Sequence, residues 1–177
     1  MSQASVEIVK EFFAANRFFV LGDGDVLFIR NSLARESAGS PGFVIPSDEI
    51  ALIKNGVVKV ISWHTMKFTP AVLNKNPEIF DFIAGSYRHI VKKTFMEENF
   101  SRILVIPALP SSENLRIDSM KIMKGKGIDG VITFPSLIAG LIDKIEARQV
   151  YLSSVNEVLR ILKFYRFFVE KEQILPF

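Results

Sequence analysis

The segment Val57-Val58-Lys59-Val60-Ile61-Ser62-Trp63-His64 sets an ammonium, a hydroxyl, an indole and an imidazole along one apolar run, while Asp25 and Glu49 each open another. Carboxylate, ammonium and imidazole are the groups with which such a chain can handle charge and protons. Much other chemistry is absent. With no cysteine there is no disulfide, thiolate zinc site or thiol nucleophile, and two histidines, His64 and His89, leave little for an imidazole metal site. Each candidate also has a structural reading. Asp23 and Asp25 stand in a glycine-rich turn, where aspartate is favoured for its backbone hydrogen bonds. Lys59 can snorkel from a strand to water, Trp63 can pack, and His64 can sit half-buried and hydrogen-bonded beside it. Lys124-Gly125-Lys126-Gly127 lacks the Ser or Thr of a phosphate loop, and Gly22-Asp23-Gly24 is too short for a dinucleotide fingerprint.

The elements that must position these groups can be read from periodicity. Val6, Val9, Phe12 and Phe13 share a stripe of a helix over Ser5 to Ala15, capped by Ser5 or Ser2. Phe18 to Leu21 and Val26 to Arg30 form a hairpin around Gly22-Asp23-Gly24-Asp25, and residues 31 to 42 form a loop. Glu49 to Lys54 and Val57 to Ser62 read as a second hairpin, joined by Asn55-Gly56, a pair suited to positive φ. Thr69-Pro70 and Asn76-Pro77 start helices. Phe80, Ile83, Tyr87, Ile90 or Val91, and Phe95 mark one face of a long helix. A strand over Ile103 to Ile106 follows, then a helix from Ser111 or Ser112 to about Lys124, ended by Gly125 and Gly127. Gly130 to Phe134 is a further strand. A helix begins at Pro135, and a last one opens on the capping box Ser154-Val155-Asn156-Glu157. Strand, helix, strand connections need crossovers, so the expectation is an α/β fold with a mixed sheet, antiparallel at one side and parallel at the other, flanked by helices in a single domain over 1–177.

This succession resembles the core of the restriction-endonuclease-like nucleases, the PD-(D/E)XK superfamily, in which a leading helix precedes a strand meander and a crossover helix delivers the next strand. The run Val57 to Thr65 looks like the third core strand, where such proteins often read Glu-Val-Lys-Gly-Trp, and Gly127 to Phe134 resembles a late core strand. The resemblance implies phosphodiester hydrolysis through Mg²⁺ held by an aspartate and a glutamate, with a lysine two residues after the glutamate acting on the attacking water. Residues two apart on a strand share a face and can converge on one ion.

If Trp63 and His64 set the register, Lys59 takes the glutamate position and Ile61 the lysine position. An ammonium cannot ligate Mg²⁺, and isoleucine can neither donate a hydrogen bond nor move a proton. The motif is then degenerate. In a second register, the two-residue Asn55-Gly56 turn sets Glu49 opposite Ser62, so that Glu49, Ser62 and His64 share a face and His64 takes over the lysine's work. Asp25 and Glu49 are the candidates for the metal-binding aspartate, with Asp25 favoured because it opens an apolar strand. Glu7 or Glu11 on the first helix would match the extra helical carboxylate of some members.

The expected function is therefore a nuclease-like domain that has lost cleavage and keeps a structural or nucleic-acid-binding role, with no cofactor. The alternatives are an active Mg²⁺-dependent nuclease with a rearranged site built from Asp25, Glu49, His64 and a helix glutamate, and a homodimeric interaction module. Residues 88 to 126 hold eight basic and four acidic side chains against six and seven in residues 1 to 66, a local bias that suits a phosphate backbone or a solvated face. Phe164, Tyr165, Phe167 and Phe168 cover too much of one helix's circumference for a single buried stripe, and a homodimer would bury the surplus. A chain of 177 residues, 49% hydrophobic, with a net charge of +3 and no apolar run of membrane-spanning length, is expected to be a soluble cytoplasmic domain with no membrane partner.

Overall fold

The computed structural model describes residues 2–22, 24–33, 40–83, 85–96 and 99–168, with residues 85, 86 and 88 described by backbone alone. It is an α/β fold with a five-stranded mixed sheet between two layers of helices. Helix α1 (Gln3–Ala15) leads into β1 (Phe18–Leu21) and β2 (Val26–Asn31), an antiparallel pair in which Leu21 faces Phe28. β3 (Asn55–Val60) pairs antiparallel with β2, β4 (Ser101–Ile106) parallel with β3, and β5 (Gly130–Thr133) parallel with β4, in spatial order 1-2-3-4-5. The crossover from β3 to β4 carries α2 (Pro70–Lys75), a 3-10 segment (Pro77–Ile83) and α3 (Gly85–Phe95). That from β4 to β5 carries α4 (Glu113–Gly125), and α5 (Phe134–Lys144) and α6 (Ser154–Phe164) complete the order.

Alternation along the strands builds two cores. Leu27, Ile29, Val58, Val60, Ile103 and Val105 meet α1 and α5 on one face. Val57, Leu104, Ile106 and Val131 meet α2, the 3-10 segment, α3 and α4 on the other. Both faces of the central strands are buried, which is why they read as continuous apolar runs. Lys59 interrupts one of those runs, standing between Val57 and Ile61 on the second face.

Three expectations need correction. The second hairpin does not form: Ile50–Leu52 is a 3-10 turn, and Asn55 and Gly56 are the first residues of β3, paired with Arg30 and Ile29. Gly56 is there for room rather than for positive φ, since a Cβ would lie 3.1 Å from Ile29 Cγ1 and 3.2 Å from Ile103 Cδ1. The long helix of the first crossover is a 3-10 segment followed by the separate α3. The tighter three-residue turn buries Ile79, Phe80 and Phe82 together, which a single α-helical stripe would not. Helix α6 is capped one residue early, Ser153 Oγ accepting from Asn156 N at 3.4 Å, while Glu157 binds Tyr151 N and Arg160 instead of closing a capping box. Part of the 31–42 loop, residues 34–39, and Asp23 lie outside the described residues.

Candidate functional site

The β1–β2 turn delivers Asp25. Gly22 makes the turn possible: its φ is +116°, and a Cβ there would lie 2.7 Å from Val26 O. At this same end of the β2–β3 ladder Val60 N donates to Asp25 O at 2.7 Å, which fixes the aspartate's backbone against the end of β3. Val26 faces Lys59, and the Asp25 carboxylate turns toward that lysine, Oδ2 accepting from Nζ at 2.6 Å. The lysine side chain is 15% exposed and the aspartate 37%, so the ammonium is the more deeply held partner.

The pair lies in an open groove of about 220 Å³ at the end of β3, which Ile61, Trp63, Glu78 and Asp81 also line. Trp63 stacks on Phe68 with centroids 6.0 Å apart. Glu78 and Asp81 come from the 3-10 segment, where residues three apart eclipse one another and so reach the same groove. Sequence reasoning missed them. The signal was present as an acidic pair at i and i+3 after Asn76-Pro77, but it has meaning only at three residues per turn. With three carboxylates and one ammonium, the groove carries a net negative formal charge.

Of the four residues singled out from the sequence, the fold brings Asp25 and Lys59 together and sets Glu49 and His64 elsewhere. Glu49 caps the 3-10 turn at Ile50, and its Oε2 accepts from Gly42 N at 3.2 Å. With no hairpin at Asn55-Gly56, the register that placed Glu49 opposite Ser62 does not exist. His64 is exposed on the other side of the sheet end, with Nε2 2.8 Å from Ser5 Oγ and its ring edge-on to Phe134 at 4.6 Å. Ser62 Oγ accepts from Ser2 N at 2.9 Å. Ser62 and His64 thus pin the first turn of α1 to the end of β3. The helix carboxylates are also engaged: Glu7 pairs with Lys10 at 3.1 Å, and Glu11 accepts from Asn156 Nδ2 at 2.6 Å.

The chemistry available follows from the Asp25–Lys59 contact. Mg²⁺ prefers carboxylate oxygens and keeps open positions for water or phosphate. In this groove the nearest cation to Asp25 is an ammonium, which brings charge without coordination sites. Among the described residues, no cluster of three or more histidine or acidic side chains is placed to hold a metal ion. No helix among them is long and apolar enough to cross a membrane. No protein-family model, curated protein or solved structure matches the chain.

Proposed function

We propose that this chain is a nuclease-like domain of the restriction-endonuclease-like kind that has lost metal-dependent phosphodiester cleavage and has a structural or nucleic-acid-binding role. The Asp25–Lys59 ion pair carries the reading. In the register that the resemblance implies, the aspartate and position 59 hold a divalent cation between them. Here position 59 supplies the positive charge itself. A tethered ammonium cannot lower the pKa of a bound water or bridge attacking and leaving oxygens, so the step that metal ions perform has no agent in this groove. Glu78 and Asp81 add negative charge beside it, which opposes the approach of a phosphodiester. Nucleic acid contacts are therefore assigned away from the groove, to exposed Lys92 and Lys93 on α3 and Lys121, Lys124 and Lys126 at the end of α4.

Incubation with single- and double-stranded DNA and RNA in Mg²⁺ or Mn²⁺ tests the loss of cleavage. No cutting above a protein-free control is expected; cutting that Asp25→Ala abolishes would overturn the reading. Salt titration tests the binding role, for which affinity should fall as ionic strength rises. No measurable affinity at low salt would leave the structural role alone.

A second reading is favoured by the aromatic residues at the end of α6: the helix stops at Phe164, so Tyr165 and Phe167 follow it rather than sharing its circumference as expected, and the three are 56%, 68% and 72% exposed. An apolar surface of that kind marks an interaction face, and a homodimer would cover it. Light scattering decides: a dimer that Phe164→Ser dissociates supports this reading, and a strict monomer removes it.

A further inference from the structure

β1 is an edge strand, and among the described residues one side of its backbone is unspent. Its ladder with β2 runs through the hydrogen-bonded pair in which Ser32 N donates to Arg17 O, so Phe19 and Leu21 also turn their backbone groups inward. The N–H and C=O groups of Phe18 and Val20 consequently point away from the sheet. Among the described residues, no backbone group pairs with them.

The side chains of β1 divide in the same alternation. Phe18 and Val20 pack toward α1, whereas Phe19 and Leu21 are 65% and 52% exposed on the opposite face. There they line a groove of about 580 Å³ that runs to Phe95 at the end of α3. Arg30, directly across the ladder from Phe19, supplies the charge that the groove offers a partner. Among the described residues, no acidic side chain lines it.

From these features we infer that the β1 edge and its groove dock an extended acidic peptide of a partner protein, which adds as a sixth strand. The partner's backbone supplies alternate donors and acceptors to Phe18 and Val20, and its residues at i and i+2 project into the groove, an apolar one against Leu21 and Phe95 and an acidic one toward Arg30. A nucleic acid strand suits the basic rim but has no regular backbone donors for the outward carbonyls of β1. A second copy of this chain pairing edge to edge would set two basic rims side by side. The observations therefore favour a peptide over both.

The test uses a labelled nine-residue peptide in which serine alternates with valine and glutamate in turn, so that residues at i and i+2 are one valine and one glutamate, its counterpart with lysine for glutamate and a single-stranded oligonucleotide, each titrated against the full chain by fluorescence anisotropy. The valine–glutamate peptide is expected to bind, and the lysine counterpart to bind at least about tenfold more weakly. Arg30→Glu should weaken the glutamate peptide by about tenfold or more. Val20→Pro removes only an outward donor, leaves the β1–β2 ladder intact and should abolish binding. Thermal melts establish that each variant folds, and Phe19→Ala gives a third lesion in the groove should the proline variant not fold. The inference is overturned if the glutamate peptide fails to bind, if the folded variants bind it as tightly as the parent, or if the oligonucleotide alone binds in a manner sensitive to Arg30→Glu.

Discussion

The Lys59 ammonium and the Asp25 carboxylate meet at 2.6 Å across the open end of the β2–β3 ladder, with the cation the more buried of the two. This contact places a protein charge beside the carboxylate that the β1–β2 turn offers to the groove. Reversing that charge should alter what the groove binds. Lys59→Glu brings a second carboxylate to Asp25, with Glu78 and Asp81 at the rim. Calorimetric titration with Mn²⁺ is expected to show one site in the variant and none in the parent. Equal Mn²⁺ binding by both would mean that Lys59 does not govern the site.

The unequal burial of the two partners predicts unequal costs for removing them. Lys59→Met leaves a carboxylate that water can still reach, and the loss should be about 1 kcal/mol. Asp25→Asn leaves an ammonium that is 15% exposed with its carboxylate partner gone, and should cost about 2–3 kcal/mol. Urea unfolding of both variants measures the difference. A larger loss from Lys59→Met would contradict the burial argument.

Gly56 separates two explanations of the same dipeptide. A hairpin turn would need glycine for its backbone freedom, whereas in β3 it is needed because Ile29 and Ile103 crowd the position. Gly56→Ala should therefore cost about 1–3 kcal/mol through overpacking. Adding Ile29→Val should recover part of that loss, as measured by a double-mutant cycle in chemical denaturation. A glycine required for its φ would show no recovery.

How much of the fold was legible follows from residues of this kind. β4 and β5 were readable because Pro107 and Gly127 punctuate runs of branched apolar residues, and α1 because Val6, Val9, Phe12 and Phe13 keep helical spacing. Asn55-Gly56 misled because the local chemistry of a turn and the close packing of a strand both select glycine. Asp25 and Lys59 were visible as separate strand-end residues, but their contact depends on the β2–β3 register. Glu78 and Asp81 were hidden because the Asn76-Pro77 break begins a 3-10 segment rather than another α-helical turn. The second register sets Ser62 and His64 on a site face with Glu49, whereas their alternation along the chain continues the face of Val58 and Val60, where α1 packs.

That placement gives His64 a structural task. Ser5 is buried in the first turn of α1, and its hydroxyl is held by His64 Nε2 at 2.8 Å. Either Ser5→Ala or His64→Ala should destabilise the chain by about 1 kcal/mol. The double variant should lose less than the sum of the two, because each single change already breaks the shared bond. Strict additivity would show that the pair is not coupled. Neither change is expected to affect metal titrations.

Acid should loosen α6. Hydrogen bonds from Arg160 hold the Glu157 carboxyl below its ordinary range; burial opposes the shift, and the Tyr151 N–H and the Arg160 charge add to it. A carboxyl with a lower pKa in the folded chain than in the unfolded one stabilises the fold above the unfolded value of about 4.3. That contribution disappears as pH falls through the lowered folded value. Glu157→Gln has no such charge to lose. The thermal midpoint of the parent should therefore exceed that of the variant at pH 7, and the gap should narrow as pH falls below the unfolded value. A gap that acid does not narrow would place the effect in packing or in neutral hydrogen bonding. Because Glu157 also accepts from Tyr151 N, amide exchange at Tyr151 gives a local check: the variant should exchange faster at pH 7.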